Sequence, residues 1–330
     1  MAYRKKYTMI TAVIMALVTM TACQYKELDD YQYDNGLTIH IDNSRVGSSP
    51  EEYRVAFYDR QGSSNPILYD IANHDRVTLP IGRYDMTLWN KDTPHVLTKG
   101  YNNRETAFAT TQLYSTTEAY YNPYLLVDSL FSQEVMDYPD YMIHGSLNNI
   151  SVENGSDESV TVRTDSMMVA LDITIQGIKG LSIVKRCKGA LNNVAGARTL
   201  YDRSQVTRAT ASQGNTQDSV TVVFNCDVNM NDSTVQACFN VFNLFPGDSP
   251  ETLQHRIALM FWTDYGNVYF VEDVTDEIAR AAKYDGSVMK VNIVLPPFNV
   301  DLREILDMEK SGFSTDVTGW GEGHSEDIKL

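Results

Sequence analysis

Residues 167–175 read MMVALDITI, and this stretch decides the fold class. Its apolar side chains Val169, Leu171, Ile173 and Ile175 stand at every second position. A period of two is typical of a β-strand that buries one face, because successive side chains of a strand point to opposite sides. The stretch therefore predicts a half-buried strand.

Similar short stretches lie on both sides of this strand. They cover residues 37–41, 53–58, 76–80, 83–89, 159–163, 219–226, 235–245, 256–263, 268–271 and 289–295. Short strands at intervals of roughly 8–12 residues indicate antiparallel sandwiches or barrels. The section at residues 106–140 is less regular and rich in tyrosine. One helix is predicted over residues 276–283, with Thr275 as its N-cap and Gly286 just beyond its end.

A change of composition divides the chain. Asn, Ser, Gly and acidic residues cluster at residues 149–158, as is typical of a linker. The chain is long enough for two domains, each with its own core. We therefore predict an all-β protein with an N-terminal β-sandwich at residues 37–150 and a C-terminal β-sandwich at residues 151–330.

The N-terminus has the layout of a secretory signal. A basic patch at residues 4–6 precedes residues 9–20, which are all apolar except for two threonines. This apolar core is short for a membrane span, which takes roughly 20 residues. The sequence therefore predicts a signal peptide at residues 1–22.

The residue after the predicted cleavage site is a cysteine. Residues 20–23 read MTAC and resemble the bacterial lipobox, in which the cysteine is acylated and becomes the new N-terminus. This resemblance predicts a lipid on Cys23 and attachment to a membrane through that lipid. The alternative is an ordinary signal peptide, with Cys23 as a structural thiol.

Polar and acidic residues follow the predicted lipid site, so residues 23–36 are predicted to be an acidic tether. Lys26, Glu27, Asp29 and Asp30 resemble the short signal that directs surface lipoproteins of the Bacteroidetes to the outer leaflet. This resemblance implies a lipid-anchored protein of the cell outer membrane that faces the exterior. The alternative is a flexible tether without a sorting signal.

The charge of the chain excludes one class of partner. The formal net charge is −16, and removal of the three basic residues 4–6 with the signal peptide would leave −19. Binding of nucleic acid requires a basic surface that displaces phosphate counterions, so no nucleic-acid partner is predicted. Electrostatic adhesion to anionic lipid is disfavoured for the same reason.

Three further cysteines lie in the second half, at Cys187, Cys226 and Cys238. Cys226 and Cys238 flank a predicted hairpin turn, which makes a disulfide between them one alternative. The apolar pattern favours the register that pairs Phe224 with Phe239, and in this register Cys226 opposes Ala237. Cys238 would then lie on the other face of the sheet. Buried free thiols are the preferred interpretation.

Several short motifs resemble those of one protein family. They are GALNNVAG at 189–196, DVTDEI at 273–278, LPP at 295–297, the GF and GW pairs at 312–313 and 319–320, and LPIGRY at 79–84. Together and in this order they resemble the Bacteroidetes fimbrillin-like surface lipoproteins, including uncharacterised two-domain members and fimbrial anchor proteins. The resemblance implies two tandem transthyretin-like sandwiches and a non-catalytic role in a fimbria or in adhesion.

The family resemblance also implies a kind of partner. In pilus-forming members an extended segment of one subunit completes the open sheet of the next, so other fimbrial subunits are expected to bind by strand addition. Polymerising members lose an N-terminal strand by cleavage after an arginine. Arg45, Arg54 and Arg60 are available here, and the sequence does not distinguish among them. An anchor would need no cleavage.

The sequence contains no recognisable catalytic or metal-binding motif. Its six histidines are scattered, and no zinc spacing, nucleophile elbow or phosphate loop is present. Asp227, Asn229 and Asn231 copy the start of a calcium loop, but the glycine and the glutamate of that loop are missing. We interpret them as a polar hairpin turn, and predict no metal, no cofactor and no enzyme activity.

Aromatic residues leave one alternative function open. Tyr114, Tyr120, Tyr121 and Tyr124, together with Trp89 and Trp262 elsewhere, could offer flat surfaces on which sugars stack. A glycan-binding accessory lipoprotein is therefore the alternative function. Tyrosine is also a favoured strand residue, and structural packing is the competing interpretation. Trp320 is expected to fill the second core.

Overall fold

The two series of strands fold around separate hydrophobic cores. The structure is a computed structural model that describes residues 35–62, 65–114, 133–155, 157–202, 219–231, 233–244, 254–285, 288–295 and 300–310. Within these ranges the chain is mostly β-strand, as the sequence predicts. No helix in these ranges has the length and apolar character that a membrane crossing requires.

Eleven strands precede residue 167 in the described part of the chain. They are β1 (Gly36–Asp42), β2 (Tyr53–Asp59), β3 (Ile67–Ile71), β4 (His74–Thr78), β5 (Gly82–Asn90), β6 (Val96–Lys99), β7 (Phe108–Thr111), β8 (Val135–Asp137), β9 (Ile143–Val152), β10 (Asp157–Arg163) and β11 (Asp165–Ser166). A 3₁₀ turn covers Arg104–Thr106. Strands β7 and β8 lie in the section that the sequence pattern marked as less regular.

Eleven described strands follow. They are β12 (Val169–Ile175), β13 (Ile178–Lys179), β14 (Val184–Val194), β15 (Ala197–Thr199), β16 (Val220–Asn229), β17 (Thr234–Val241), β18 (Arg256–Thr263), β19 (Asn267–Asp273), β20 (Ala282–Asp285), β21 (Val288–Leu295) and β22 (Val300–Asp301). The helices are α1 (Thr275–Ala281) and α2 (Leu302–Lys310), with a 3₁₀ turn at Leu181–Ile183.

The first sandwich consists of two sheets. A five-stranded sheet has the order β11-β9-β5-β2-β3, and a three-stranded sheet has the order β10-β1-β4. Their facing side chains form one core, which includes Leu37 and Ile39 from β1 and Val55 and Phe57 from β2. The predicted linker at residues 149–158 includes the end of β9 and the start of β10, and both strands belong to this sandwich. The second strand series therefore begins after β11, beyond the predicted boundary at residue 151.

In the second sandwich, both layers come from one large sheet whose two halves face each other across the core. Its order is β19-β18-β14-β16-β17-β12-β21-β20, with β8 attached to β16. Strand β16 pairs with β14 as far as Cys226 and with β17 from Asp227 onward, so it joins the two halves of the sheet. Side chains from both halves, including Leu171 on β12 and Phe261 on β18, meet in a single core.

The sheets are mainly antiparallel, as the sequence predicts, but they also contain parallel pairs that it did not predict. Most pairings are antiparallel, but β1 with β10, β12 with β21, β8 with β16, and β13 with β22 are parallel. The partners of these pairs are far apart in sequence, and no local pattern indicates the direction of such a pairing. The all-β prediction with two cores is confirmed.

The predicted helix is present, but its ends differ. It covers Thr275–Ala281 and gives way to β20, whereas the prediction extended it to residue 283. Asp276 and Glu277 occupy its first turn as expected. Thr275 lies inside the helix and not at its N-cap, since the helix begins at this residue, and its hydroxyl donates a hydrogen bond of 2.6 Å to Asp273 Oδ1.

A third apolar cluster connects the two sandwiches. It contains Ala56 and Trp89 from the first strand series and Leu200 and Phe242 from the second, all of them buried. A small sheet of order β15-β7-β6 also contains strands from both series. The two sandwiches therefore share an apolar interface and a sheet.

The LPIGRY motif forms the turn between β4 and β5. The Tyr84 hydroxyl donates a hydrogen bond of 2.9 Å to the carbonyl of Pro80, and Leu79 and Tyr84 are buried. A tyrosine at this position therefore closes the turn with its hydroxyl and fills the core with its ring.

We expect Tyr84→Phe to lower the free energy of unfolding by about 1 kcal/mol, because the hydrogen bond between the Tyr84 hydroxyl and the Pro80 carbonyl would be lost while the ring stays in place. Urea denaturation measures this change. Ile81→Ala in the same turn is the control, because the Ile81 side chain is 61% exposed and a surface substitution changes stability by less than about 0.5 kcal/mol. Equal losses in both variants would contradict a role for the hydroxyl.

A buried histidine makes the stability of the second sandwich depend on pH. His255 is fully buried, and its Nδ1 donates to the carbonyl of Asn192 at 3.2 Å. Burial lowers the pKa of His255, because the charged imidazolium loses its hydration. The neutral form is thus favoured in the folded state, and this contribution is complete above the unfolded pKa of about 6.5.

We expect stability to fall as the pH drops below about 6.5, by at most about 1.4 kcal/mol per pH unit for one proton. The measurement is the free energy of unfolding between pH 7.5 and 5, for the native chain and for His255→Asn. The two proteins differ only at this residue, so the difference between the two curves isolates His255. Parallel curves would show that His255 does not cause the dependence.

Candidate functional site

The first strand occupies the middle of its sheet. Strand β1 pairs in parallel with β10 along its whole length, from Gly36 opposite Asp157 to Asp42 opposite Arg163. On its other side it pairs in antiparallel register with β4, from Gly36 opposite Thr78 to His40 opposite His74. Both edges of β1 are therefore hydrogen-bonded, and its removal would leave a gap between β10 and β4.

One face of β1 lies in the first core. Leu37 and Ile39 are completely buried and Ile41 is 8% exposed, whereas Thr38 and His40 between them are half-buried. The predicted alternation over residues 37–41 is therefore confirmed. Removal of β1 would leave the places of these three apolar side chains empty. They are spaced two residues apart, so the apolar side chains of another strand could fill them.

Polar contacts surround β1 on the outer face of the sheet. Arg76 Nε on β4 lies 3.2 Å from Asp157 Oδ1 on β10, so this ion pair joins the two strands that flank β1. His40 and His74, which are opposite residues, approach to 2.8 Å between their Nδ1 atoms. These groups are largely exposed, and each exposed ion pair is worth less than about 1 kcal/mol. The apolar face, and not the outer face, accounts for most of the stability that β1 provides.

The structure distinguishes the three candidate arginines. Arg45 lies in the turn that follows β1, with an exposed side chain 3.3 Å from Asp165. Arg54 lies inside β2, where it donates two hydrogen bonds to Asp70 of β3. Arg60 follows β2 in the chain. Of the three, Arg45 is the one after which cleavage would separate β1, and no part of β2, from the rest of the sandwich.

Several predicted site residues lie outside the described ranges. They are the lipidation residue Cys23, the export residues Lys26, Glu27, Asp29 and Asp30, the tyrosines Tyr120, Tyr121 and Tyr124, and Trp320. These assignments stay predictions.

The two tryptophans do not form a stacking surface, so this part of the glycan prediction is wrong. Trp89 is 3% exposed in the cluster between the sandwiches, and Trp262 is 5% exposed on the second sheet. Tyr114 is half-buried, and its hydroxyl accepts a hydrogen bond of 2.7 Å from Lys188 Nζ. Burial of the indole rings leaves no flat face available for a sugar ring.

The predicted hairpin turn after β16 is confirmed. β16 ends at Asn229 and β17 begins at Thr234, and Asn229 Oδ1 accepts a hydrogen bond of 3.1 Å from the backbone N–H of Asn231. The asparagine thus stabilises a turn, as short polar side chains commonly do. Within the described ranges, no three His, Cys, Asp or Glu side chains gather in a way that could hold a metal ion.

The cysteine prediction is correct in register and wrong in burial. Asp227 lies opposite Gln236, which is the predicted register, but the ladder between β16 and β17 does not extend to Phe224, and the Phe224 ring stacks on Phe239 with 3.9 Å between centroids. Cys187, Cys226 and Cys238 are all free, but only Cys187 is buried, while Cys226 is half-buried and Cys238 is exposed. Cys238 is exposed because it lies opposite Asp172 on the outer face of its sheet.

The fold is similar to that of solved structures from Bacteroidetes. A crystal structure from Bacteroides ovatus, provisionally described as an adhesin, matches with a TM-score of 0.58 at 18% identity over 83% of this chain and 94% of that one. A second, likewise described and from the same species, matches with a TM-score of 0.51 at 8% identity over 78% and 88%. The fimbrial anchor protein Mfa2 from Porphyromonas gingivalis gives 0.47 at 12% identity over 78% and 90%.

The chain belongs to the family described as a domain of unknown function, DUF5119, whose profile matches residues 22–214. No curated protein matches it. The expected all-β fold is the one that the two Bacteroides ovatus structures also adopt.

Proposed function

We propose that this chain is a non-catalytic lipoprotein of the outer membrane, facing the exterior, which acts as a fimbrillin-like component or anchor in fimbria assembly or adhesion. The observation that carries the proposal is the position of β1. The strand that directly follows the predicted tether is the middle strand of its sheet, with Leu37 and Ile39 fully buried. A lipid on Cys23 would therefore be continuous with an integral part of the fold.

Two further observations support the proposal. The family match begins at residue 22, next to Cys23, where the predicted signal peptide ends. Solved structures with the same fold are provisionally described as adhesins. A lipoprotein with several acyl chains would remain stably attached, whereas one chain alone gives only marginal binding.

In this geometry, a molecule that exchanges a strand cannot also serve as a lipid anchor. Cleavage after Arg45 would separate Cys23 and β1 together from the rest of the chain. The remaining molecule would lose its lipid and gain a gap between β10 and β4 that a strand from another subunit could fill. An uncleaved molecule keeps both the lipid and a complete sheet, and this is the state that suits an anchor.

The test is fractionation of the cells that produce the protein, followed by mass analysis of its N-terminus. An anchor is expected in the outer-membrane fraction, open to external protease, with a lipidated N-terminus at Cys23. A strand-exchanging subunit is expected to begin at Val46 and to form a high-mass ladder in an unboiled denaturing gel that collapses on boiling.

The matched variants are Cys23→Ser and Arg45→Gln. Cys23→Ser is expected to remove the protein from the membrane fraction, and unchanged attachment would overturn the lipid anchor. Arg45→Gln is expected to abolish the ladder if strand exchange occurs. A ladder that survives this change would place the cleavage elsewhere.

The alternative function, glycan binding, now depends on Tyr120, Tyr121 and Tyr124. The favouring observation is that Tyr114, the first tyrosine of this run in the sequence, packs against the large sheet of the second sandwich and accepts a hydrogen bond from Lys188. A monomer whose affinity for a polysaccharide falls about tenfold in Tyr120→Ala or Tyr121→Ala would support this role, since stacking on one aromatic ring contributes roughly 1 kcal/mol or more. Unchanged affinity in both variants would exclude these residues.

A further inference from the structure

Two of the cysteines face each other across neighbouring strands. Cys187 on β14 is directly opposite Cys226 on β16, in a run of antiparallel pairs that continues with Lys188 opposite Asn225 and Gly189 opposite Phe224. The register is regular here, and its only shift in this pairing lies between Leu191 and Val194. The juxtaposition therefore follows from the regular hydrogen-bonded ladder.

The ladder gives this pair the spacing of a disulfide. Directly opposite residues of antiparallel strands have Cα atoms about 4.5–5.5 Å apart, and disulfides bridge Cα atoms about 4.4–6.8 Å apart. Opposite side chains also lie on the same face of the sheet. Cys187 belongs to the second core, and Cys226 is packed against that core from the adjacent strand.

The two thiols are close enough to affect each other. The pKa of the Cys187 thiol is raised well above its ordinary value, first by burial and then by the neighbouring Cys226 thiol. Cys238 is not a competing partner. It pairs across the ladder with Asp172 and faces outward, where burial and Asp172 raise the pKa of its thiol.

We propose that Cys187 and Cys226 form a cross-strand disulfide when the protein meets a disulfide oxidant, which is either a small-molecule disulfide or the active-site disulfide of an oxidoreductase. Cys226, the more accessible of the two, loses its proton and attacks the oxidant. One thiol of the oxidant is released, and Cys226 is held in a mixed disulfide. Cys187 then loses its proton and attacks Cys226 Sγ, which expels the second thiol. The two cysteines lose two electrons, and the oxidant becomes two thiols.

The burial of Cys187 determines when this reaction can occur. A buried thiol with a raised pKa is a poor nucleophile, so the second step is fast only before the core closes around it. Once formed, the bond is protected from external thiols for the same reason. It closes a loop of about 40 residues, and such a loop gives a disulfide a stabilising effect on the folded state.

The experiment maps the thiols of the full protein isolated from the cells that produce it. Half of the sample is denatured and alkylated with N-ethylmaleimide as isolated. The other half is reduced, refolded in a mixture of reduced and oxidised glutathione, and then alkylated. Peptide mass analysis of the second half is expected to show Cys187 linked to Cys226 and Cys238 alkylated. The linked protein is expected to melt about 5–10 °C above the same protein that has been reduced while denatured and refolded without an oxidant.

The glutathione half does not depend on where the cell places the protein, so it is separate from the test of the proposed function. Cys187 and Cys226 both alkylated, or each bound separately to glutathione, would overturn the proposal. Cys238→Ser is the matched control and is expected to keep the link. Cys226→Ser is expected to leave Cys187 alkylated, and a link between Cys187 and Cys238 in this variant would contradict the geometry. If the half of the sample that is alkylated as isolated also contains Cys187 linked to Cys226, this would support formation of the bond in the cell.

Discussion

Aspartate in place of Ile39 is expected to unfold the first sandwich. Ile39 is completely buried in the middle of β1, and its neighbours Leu37 and Ile41 lie in the same apolar core. A carboxylate at this position would have no partner in the core and would be buried away from water. We expect a loss of at least about 4–5 kcal/mol, which approaches the total stability of a small domain.

The matched control is Thr38→Asp, one position earlier on the same strand. Thr38 is half-buried on the opposite face and has Arg76 as its ladder partner, so this change is expected to cost less than about 1 kcal/mol. Urea denaturation and limited proteolysis of both variants measure the difference. Equal resistance of the two variants would mean that β1 is not an integral strand, and the proposed continuity between lipid and fold would fail with it.

A methyl group at position 189 is expected to disrupt the second core. A Cβ on Gly189 would come within 2.2 Å of the Phe224 ring, which is fully buried and stacked on Phe239. Phe239 stacks on this ring with 3.9 Å between the centroids, which restricts the movement of the ring. We expect Gly189→Ala to lower the free energy of unfolding by about 2–3 kcal/mol, as overpacking of a dense core does.

A double-mutant cycle tests this explanation. Phe224→Leu removes part of the ring that blocks position 189, so the combination with Gly189→Ala is expected to be less destabilised than the sum of the two single variants by about 1 kcal/mol or more. Additive losses would mean that the glycine is required for another reason, such as its backbone conformation. Thermal and urea unfolding of the four proteins provide the numbers.

The local pattern predicted those strands that bury only one face. β1 and β12 alternate in burial as their residues alternate in polarity, and both were predicted from this pattern. β14 was recognised only as a motif, GALNNVAG, and not as a strand. It contributes Leu191 to the second core and Ala190 to a separate cluster on the other face, so both faces are buried. A strand with two buried faces has no alternation to detect, and β14 also lacks the continuous apolar run from which β18, likewise buried on both faces, was predicted.

The candidate site was predictable only in part, since its decisive feature is a contact between distant segments. The pairing of β1 with β10 joins residues about 120 positions apart, and no periodicity in either strand indicates the other. Likewise, Cys187 and Cys226 look unrelated in sequence, because β14 was not recognised and the register of β16 was known only against β17. Burial of Trp89 and Trp262 depends on how the sandwiches and sheets pack together, which composition does not reveal.

The parallel pairing of β1 with β10 has a mechanical consequence. For a chain tethered at Cys23, tension enters β1 at its N-terminal end, while β10 passes tension to the second strand series from its C-terminal end. In parallel strands these ends lie at opposite ends of the pair, so the pull slides the strands along each other. The ladder from Gly36 to Asp42 would then bear the force together and would not open one hydrogen bond at a time. Such a shear geometry would suit the anchoring role that we propose for this chain.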